Sequence, residues 1–286
     1  MHPTVGDPFA VGRDTHVVPT YWPVPATGVL PMNAFVVAAE EPVLVDTGIG
    51  VLADDFLTAL SSVVDPAELR WIWLTHEDRD HTGSLMRLLE LAPRATVIST
   101  FLAIGRMMPE APFPLDRLRV VNPGDTLNVG DRNLRALRPP VFDSPGTVGF
   151  LDDSTGMLFS SDCFGAPLPT AAEATSRTAD DVDDDVLAAA QLAWATVDSP
   201  WVSLADETVL AGSLEAVRRL QPSALLSSHL PPVHRAVDRV LTTMQGAPSV
   251  DPVPGTTHAE LRALLDQLDP GGRPAPGPHH EIEEIA

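Results

Sequence analysis

The sequence predicts a layered α/β fold in which two sheets are flanked by helices. Short β-branched and apolar runs cluster in two groups, residues 15–45 and 118–160, with helically patterned stretches between and after them. The first group holds a hairpin signal, Glu40-Glu41-Pro42 between two β-branched runs. Its strands are therefore antiparallel, which excludes a simple doubly wound parallel sheet. Ionisable residues fall where predicted strands end, and α/β sheets place their sites there.

In the first group HVVP, GVLPMNAFVVAA and PVLVDTG read as strands, and Asp46-Thr47-Gly48 closes the last. Residues 52–64 have helical spacing and stop at Asp65-Pro66. The stretch WIWLTHEDRDHTGSL, residues 71–85, comes next. It reads as a short buried strand, then an ionisable block on a loop, then Thr82-Gly83-Ser84 opening a helix over 83–91. ATVIST is a strand and FLAIGRMM a short helix. Residues 118–121, 125–129, 134–137, 148–151 and 157–160 are short strands separated by Gly and Asp turns. Further on, 179–197 is an acidic helical stretch, 206–220 an amphipathic helix, 225–228 a strand delivering His229, and 237–244 helical. Beyond Gln245, Pro and Gly surround one helix at 258–268. The expected organisation is thus one domain over 1–244 and an extension over 245–286, whose PGGRPAPGPHHEIEEIA end should be mobile.

A chain of 286 residues and 30.5 kDa can bury a sizeable core, and 44% hydrophobic with 20% charged residues makes it globular. No apolar run reaches membrane-spanning length and no basic-then-apolar leader opens the sequence, so a cytoplasmic protein is expected. The single Cys163 excludes an intramolecular disulfide framework. The net charge of −21 argues against nucleic acid and anionic membranes as partners, since both select basic faces. All 18 basic residues are Arg, which excludes a P-loop lysine, a Schiff-base lysine and a pyridoxal phosphate anchor.

The ionisable block sets His76, Asp78, Asp80 and His81 close together. Burying that cluster without counter-charge would be very costly, and solubility alone does not call for two histidines, so a metal site is the better reading. Asp143 in RPPVFDSPGT, Asp162 after LFSS and His229 after LLSS also lie at the ends of predicted strands. Ligands scattered this widely converge only where several strand ends meet at one edge. Seven are too many for one tetrahedral ion and enough for two ions sharing a carboxylate.

The H-x-D-x-D-H block, a ligand in a Pro-rich turn, an Asp in LFSSD and a late SSH resemble the metallo-β-lactamase fold, an αββα four-layer sandwich with a dinuclear site at one edge of its sheets. The closer likeness is to the flavodiiron and oxygen-binding di-iron branch. That branch reads H-x-E-x-D-H-S/T-G-S, S-x-D-x-F-G and P/S-S-H-G-P, where this chain has HEDRDHTGS, SSDCFG and SSHLPP. The approach to the last histidine, from WATVDSPW onward, also looks like that branch, and the likeness covers about residues 15–236. Two departures stand out. The branch's Glu is the shorter Asp78, and its third-loop His aligns with Asp143 of DSP. No flavodoxin domain is expected, because little chain follows Ala236.

The resemblance implies that His76, Asp78 and Asp143 hold one metal, that Asp80, His81 and His229 hold the other, and that Asp162 bridges them. Asp162 and Asp80 are expected to serve the chemistry most directly. Hydrolytic zinc sites of this fold carry more imidazole and fewer carboxylates. Asp78, Asp80, Asp143 and Asp162 set four hard negative charges here, which favours two iron ions, with manganese or zinc as substitutes. A carboxylate-rich member of the fold that activates oxygen with two irons, the β-hydroxylase type, also carries a carboxylate at the third-loop position.

Other residues divide between site and scaffold. Asp46 reads equally well as a hydrogen-bond acceptor beside the site and as a strand cap. The plain alternative for Asp143 is a cap on the turn before Pro145. Cys163 reads as a core thiol, His234 as a surface residue, and Trp71 and Trp73 as core. Glu77 and Arg79 should point away from the metals and pair with each other, and residues 180–185 should be a solvated helix N-terminus. His2, His16, His258, His279 and His280 receive no role.

The expected function is binding or reduction of oxygen or a related small oxidant, with an external electron donor. The alternatives are a metal-dependent hydrolase of an ester, lactone or thioester, and a non-catalytic oxygen-binding or sensor module. The 206–220 helix with Trp201 is a candidate homodimer surface, by analogy.

Overall fold

The computed structural model describes residues 2–110 and 113–268. Its first compact unit is Met1–Pro252 and its second Val253–Ala286. In the second, α9 (His258–Leu268) is described; the PGGRPAPGPHHEIEEIA tail with His279 and His280 lies outside the described residues.

In the first unit, one sheet is built from β1 (Thr4–Val5), β2 (Phe9–Ala10), β3 (Thr15–Val24), β4 (Gly28–Val37), β5 (Val43–Val45), β6 (Trp71–Trp73), β7 (Thr96–Ser99) and β8 (Leu118–Val120). Their order is β1-β3-β4-β5-β6-β7-β8, with β2 also on β3. The second sheet holds β9 (Thr126–Asn128), β10 (Asn133–Leu137), β11 (Gly149–Asp152), β12 (Met157–Phe159) and β13 (Ala224–Leu226), ordered β13-β12-β11-β10-β9. The hairpins expected in the first group are present: β3–β4 and β4–β5 pair antiparallel, whereas β5–β6, β6–β7 and β7–β8 are parallel. One grouping changes. β8, read with the second cluster of strands, joins the first sheet, because the chain after the helix at 101–107 returns beside β7 before crossing over. The two-residue β1 and β2 were not foreseen, being too short to show a period.

Helices α1 (Ala53–Ser61), α2 (Arg79–Thr82), α3 (Leu85–Leu91) and α4 (Phe101–Met107) come from the first half, and α5 (Ala171–Ala174), α6 (Asp184–Asp198), α7 (Glu207–Arg219) and α8 (Val237–Gln245) from the second. Strand alternation sorts their partners. Val17, Phe35, Val43, Trp71 and Trp73 face Leu134, Phe150, Phe159 and Leu226 across the sheets. Phe150 stacks on Phe159 at 4.3 Å between ring centroids, and Trp73 lies 4.6 Å from Phe150. The intervening Val18, Leu44, Ile72 and Val97 face Phe56 and Leu60 of α1, Leu88 of α3 and Ile104 of α4. On the far side, Leu151, Leu158 and Leu225 pack with Leu187, Leu214 and Leu241 of α6, α7 and α8. Three apolar layers between four layers of elements make the αββα sandwich. Each fully buried Leu, Val or Phe contributes about 1.5–3 kcal/mol, so the period-2 pattern decides the register.

One reading is corrected. Residues 180–185 are not uniformly solvated: Asp180 has a 4% exposed side chain and accepts the backbone N–H groups of His234, Arg235 and Ala236, while Asp183 caps α6. Trp201 is partly used internally, its indole N–H donating to the Phe142 carbonyl at 2.6 Å, although Leu204 and Val209 beside it stay exposed.

Candidate metal centre

Parallel strands deliver side chains to one edge. Asp46 leaves β5, His76 leaves β6, Asp162 leaves β12 and His229 leaves β13. The block after β6 is not all loop: Asp78 stands at the N-cap position of α2, so Asp80 and His81 ride on its single helical turn. Gly83 follows because that turn lies against residues 48–50; a Cβ there would come within 2.1 Å of the Gly50 nitrogen. The loops are tied by backbone bonds from Thr47 to the His81 carbonyl (2.7 Å), from Val148 to Thr75 (2.8 Å) and from Ser228 to Ser161 (2.9 Å).

All seven residues read from the sequence meet. His76 Nε2 lies 3.4 Å from Asp162 Oδ2, 3.6 Å from Asp143 Oδ2 and 3.9 Å from Asp78 Oδ2. His81 Nε2 lies 3.1 Å from Asp162 Oδ1 and 3.4 Å from Asp80 Oδ2. His229 Nε2 lies 3.4 Å from each of those same oxygens. Asp162 thus turns one oxygen to each group. His76–Asp78–Asp143 and Asp80–His81–His229 each gather ligand atoms within 4.8 Å of one another.

The imidazoles are aimed from behind. His81 Nδ1–H donates to Asp46 Oδ2 at 2.8 Å, and Thr75 adds its amide and hydroxyl to the same carboxylate. His229 Nδ1–H donates to the Pro31 carbonyl at 2.8 Å. His76 Nδ1 lies 3.2 Å from both the Thr75 and Ser161 hydroxyls. Each arrangement leaves Nε2 for an ion. Asp46 therefore acts beside the site. Its φ of 59°, like those of Ser161 (55°) and Phe164 (71°), shows a backbone held in the left-handed region to place these groups. Asp143 combines both of its readings: Oδ1 accepts the Ser144 amide while Oδ2 faces His76. Glu77 and Arg79 do not pair with each other. Glu77 binds Arg106 and Ser144, and Arg79 binds Glu110. Residues on a loop entering a helix do not keep strand alternation, so neighbours two apart diverge.

The buried atoms fit metal ions. His76 Nε2, His81 Nε2 and Asp162 Oδ1 have no hydrogen-bond partner, although His81 and Asp162 approach to 3.1 Å. Burial opposes charge on His229, yet the Asp162 and Asp80 carboxylates lift it to about 9. Burial likewise opposes protonation of His81, and Asp80, Asp162 and Asp46 overcome it. Burial would raise Asp162, but His81, His229 and His76 hold it well below the carboxylate range. Three imidazoles and four carboxylates with no Arg or Lys among them form a site that attracts positive charge.

Sequence reasoning missed two residues here. The Trp194 ring lies 4.9 Å from that of His229, and its N–H donates to the Asp162 carbonyl at 3.3 Å. This contact requires Gly165, where a Cβ would meet the indole nitrogen at 2.6 Å. The other is Asp198, grouped with Asp143 and Asp162 within 4.8 Å and pushed up to about 7 by burial and by those two carboxylates. An acid ending a long helix was the available signal. Cys163 is buried in the apolar layer and His234 is exposed, as read.

A family model described as ODP family beta lactamase matches residues 30–229. The chain belongs to this family. The ODP-family chain is 30% identical over 134 residues to an anaerobic nitric oxide reductase flavorubredoxin of Salmonella typhi, which covers 46% of this chain and 28% of that protein. Among solved structures, the flavodiiron protein from Giardia intestinalis matches with a TM-score of 0.74 at 18% identity, over 86% of this chain and 60% of that one. The rubredoxin oxygen:oxidoreductase of Desulfovibrio gigas matches with a TM-score of 0.69 at 19% identity, over 85% and 61%. The structural matches establish the metallo-β-lactamase-like fold. The chain spans about a quarter to a half of the length of the curated relatives it matches. Among the described residues no helix is long and apolar enough to cross a membrane.

Proposed function

We propose that this chain holds two iron ions and reduces dioxygen or a related small oxidant such as nitric oxide, using electrons from an external donor. His76, Asp78 and Asp143 hold one ion, Asp80, His81 and His229 the other, and Asp162 both. The observation that carries this is the division of Asp162, one oxygen toward each group, between buried imidazole nitrogens that have no other partner. An iron pair supplies the electron-transfer chemistry that side chains lack. The chain's own part is positional: Asp46, Pro31 and the Thr75 and Ser161 hydroxyls keep three imidazoles aimed inward, Asp162 faces all three, and Asp80 faces two of them.

Hard oxygen donors favour iron and stabilise its higher oxidation state. Two observations support redox chemistry over hydrolysis. Asp143 faces His76 instead of lying away from the cluster. The cleft of about 380 Å³ beside the ligands is lined by Glu77, Asp78, Arg79, Asp80, Arg106, Met107 and Glu110, a polar mouth suited to a small oxidant and unlike a deep apolar ester pocket. Relatives named for nitric oxide and for oxygen reduction agree with this reading. The lone buried thiol suits a reducing, cytoplasmic setting.

Metal analysis and Mössbauer spectroscopy of the aerobically purified chain, with oxygen and nitric oxide uptake under an artificial reductant, test the proposal. Two irons per chain in a coupled pair and reductant-dependent uptake are expected. Two zinc ions and no uptake would sink it.

A further inference from the structure

Asp198 is the last residue of α6, where the helix dipole opposes a negative charge. Its partly buried carboxylate has an oxygen within 4.8 Å of oxygens from both Asp143 and Asp162. Among the described residues no arginine forms an ion pair with any of the three, and the sequence has no lysine. The hydrogen bond made by the Asp198 carboxylate comes from the Ser199 hydroxyl, at 3.0 Å. Like charges at this spacing repel, and more strongly when partly buried than in open water. Crowding of acids alone does not make a site. A second observation does: His76 Nε2, fully buried and with no hydrogen-bond partner, is aimed at this same group, 3.4 Å from Asp162 and 3.6 Å from Asp143.

We propose that Asp198 is a further ligand of the metal held by His76, Asp78 and Asp143, an assignment that rests on the two-metal reading above. It makes the two positions chemically unequal. The first has one imidazole with carboxylates from Asp78, Asp143, Asp162 and Asp198; the second has two imidazoles, His81 and His229, with Asp80 and Asp162. Oxygen-rich sites select manganese and iron, whereas imidazole suits zinc equally well. The first position should therefore favour zinc over manganese(II) less strongly than the second does.

The test is titration of the metal-free full chain with manganese(II), free ion being counted by electron paramagnetic resonance, with zinc competition. Wild type should bind two ions. Asp198→Asn, nearly isosteric, should keep one manganese(II) ion at unchanged affinity, bind the other at least about tenfold more weakly and shift that position's competition further toward zinc. Asp198→Glu should restore part of the loss. A manganese anomalous map of the wild-type crystal should place the Asp198 carboxylate in bonding contact with the first ion, and this decides the matter if the variants do not fold. Two equally tight ions in Asp198→Asn, or a map with Asp198 out of contact, overturns this assignment alone. Fewer than two ions in wild type overturns the two-metal reading, and this assignment with it.

Discussion

Among the described residues, two clusters of carboxylates that reach into the interior are neutralised in opposite ways. In one, Arg132 lies between three acids: Nη1 reaches Asp152 at 3.2 Å, and Nη2 reaches Asp14 at 2.6 Å and Asp131 at 2.8 Å. The guanidinium is a permanent cation whose planar fork serves several carboxylates at once, so this cluster is complete when the chain folds. In the other, the metal-site cluster, no arginine enters, and His76 Nε2, His81 Nε2 and Asp162 Oδ1 face one another without hydrogen bonds. It holds no permanent cation: the positive charge comes from protons on its imidazoles, which a metal ion can replace. On the proposed reading, one cluster is scaffold and the other is a receptor for cations.

Four experiments press on that contrast. The largest effect is expected for Asp162→Ala, which removes the carboxylate common to both groups: binding should fall from two metals to at most one per chain, with loss of oxidant reduction, as read by metal analysis and uptake. Two metals retained would break the contrast. Arg132→Met leaves the partners of a buried cation unpaired and should cost about 3–5 kcal/mol in denaturant unfolding. Metal content per folded chain should not change. Asp46→Asn should leave the fold intact and weaken metal binding at the His81 position about 10–100-fold, because the Nδ1 acceptor that orients the ring is weakened. Unchanged affinity would show that Asp46 is only a strand cap.

The smallest effect concerns Asp180. Burial alone would raise its carboxyl, but the N–H groups of Arg235, His234 and Ala236 lower it below 3.8. A depressed folded-state value means the contribution is present above the unfolded value and lost as pH falls through it toward the folded one. Asp180→Asn should therefore cost about 1–2 kcal/mol at pH 7 and progressively less below about pH 4, as seen in melts across pH.

Much of this was legible in the chain. Hydrophobic alternation in WIW and VLV sorted Trp73 from Ile72 and so set the layers. Ionisable residues at strand ends marked all seven members of the cluster, since a strand's end is where a side chain can leave the packed layers without burying its charge. What stayed hidden depends on contacts between distant segments. Nothing local distinguished β8 as a strand of the first sheet, since three residues of LRV carry no address. Glu77 found Arg106, and Asp180 found residues 234–236, through the crossing of elements that no period encodes.

The sequence by itself determined the layered architecture, the identity of the seven candidate ligands, and the excess of carboxylate that favours iron, because periodicity and charge are properties of residues in order. Only the tertiary structure decided that Asp162 splits its two oxygens between the groups, that Asp46 stands behind His81, and that Asp198 comes down from the end of α6 beside Asp143. Those depend on the direction in which side chains arrive at one edge. That direction is fixed by packed sheets and helices, and not by position along the chain.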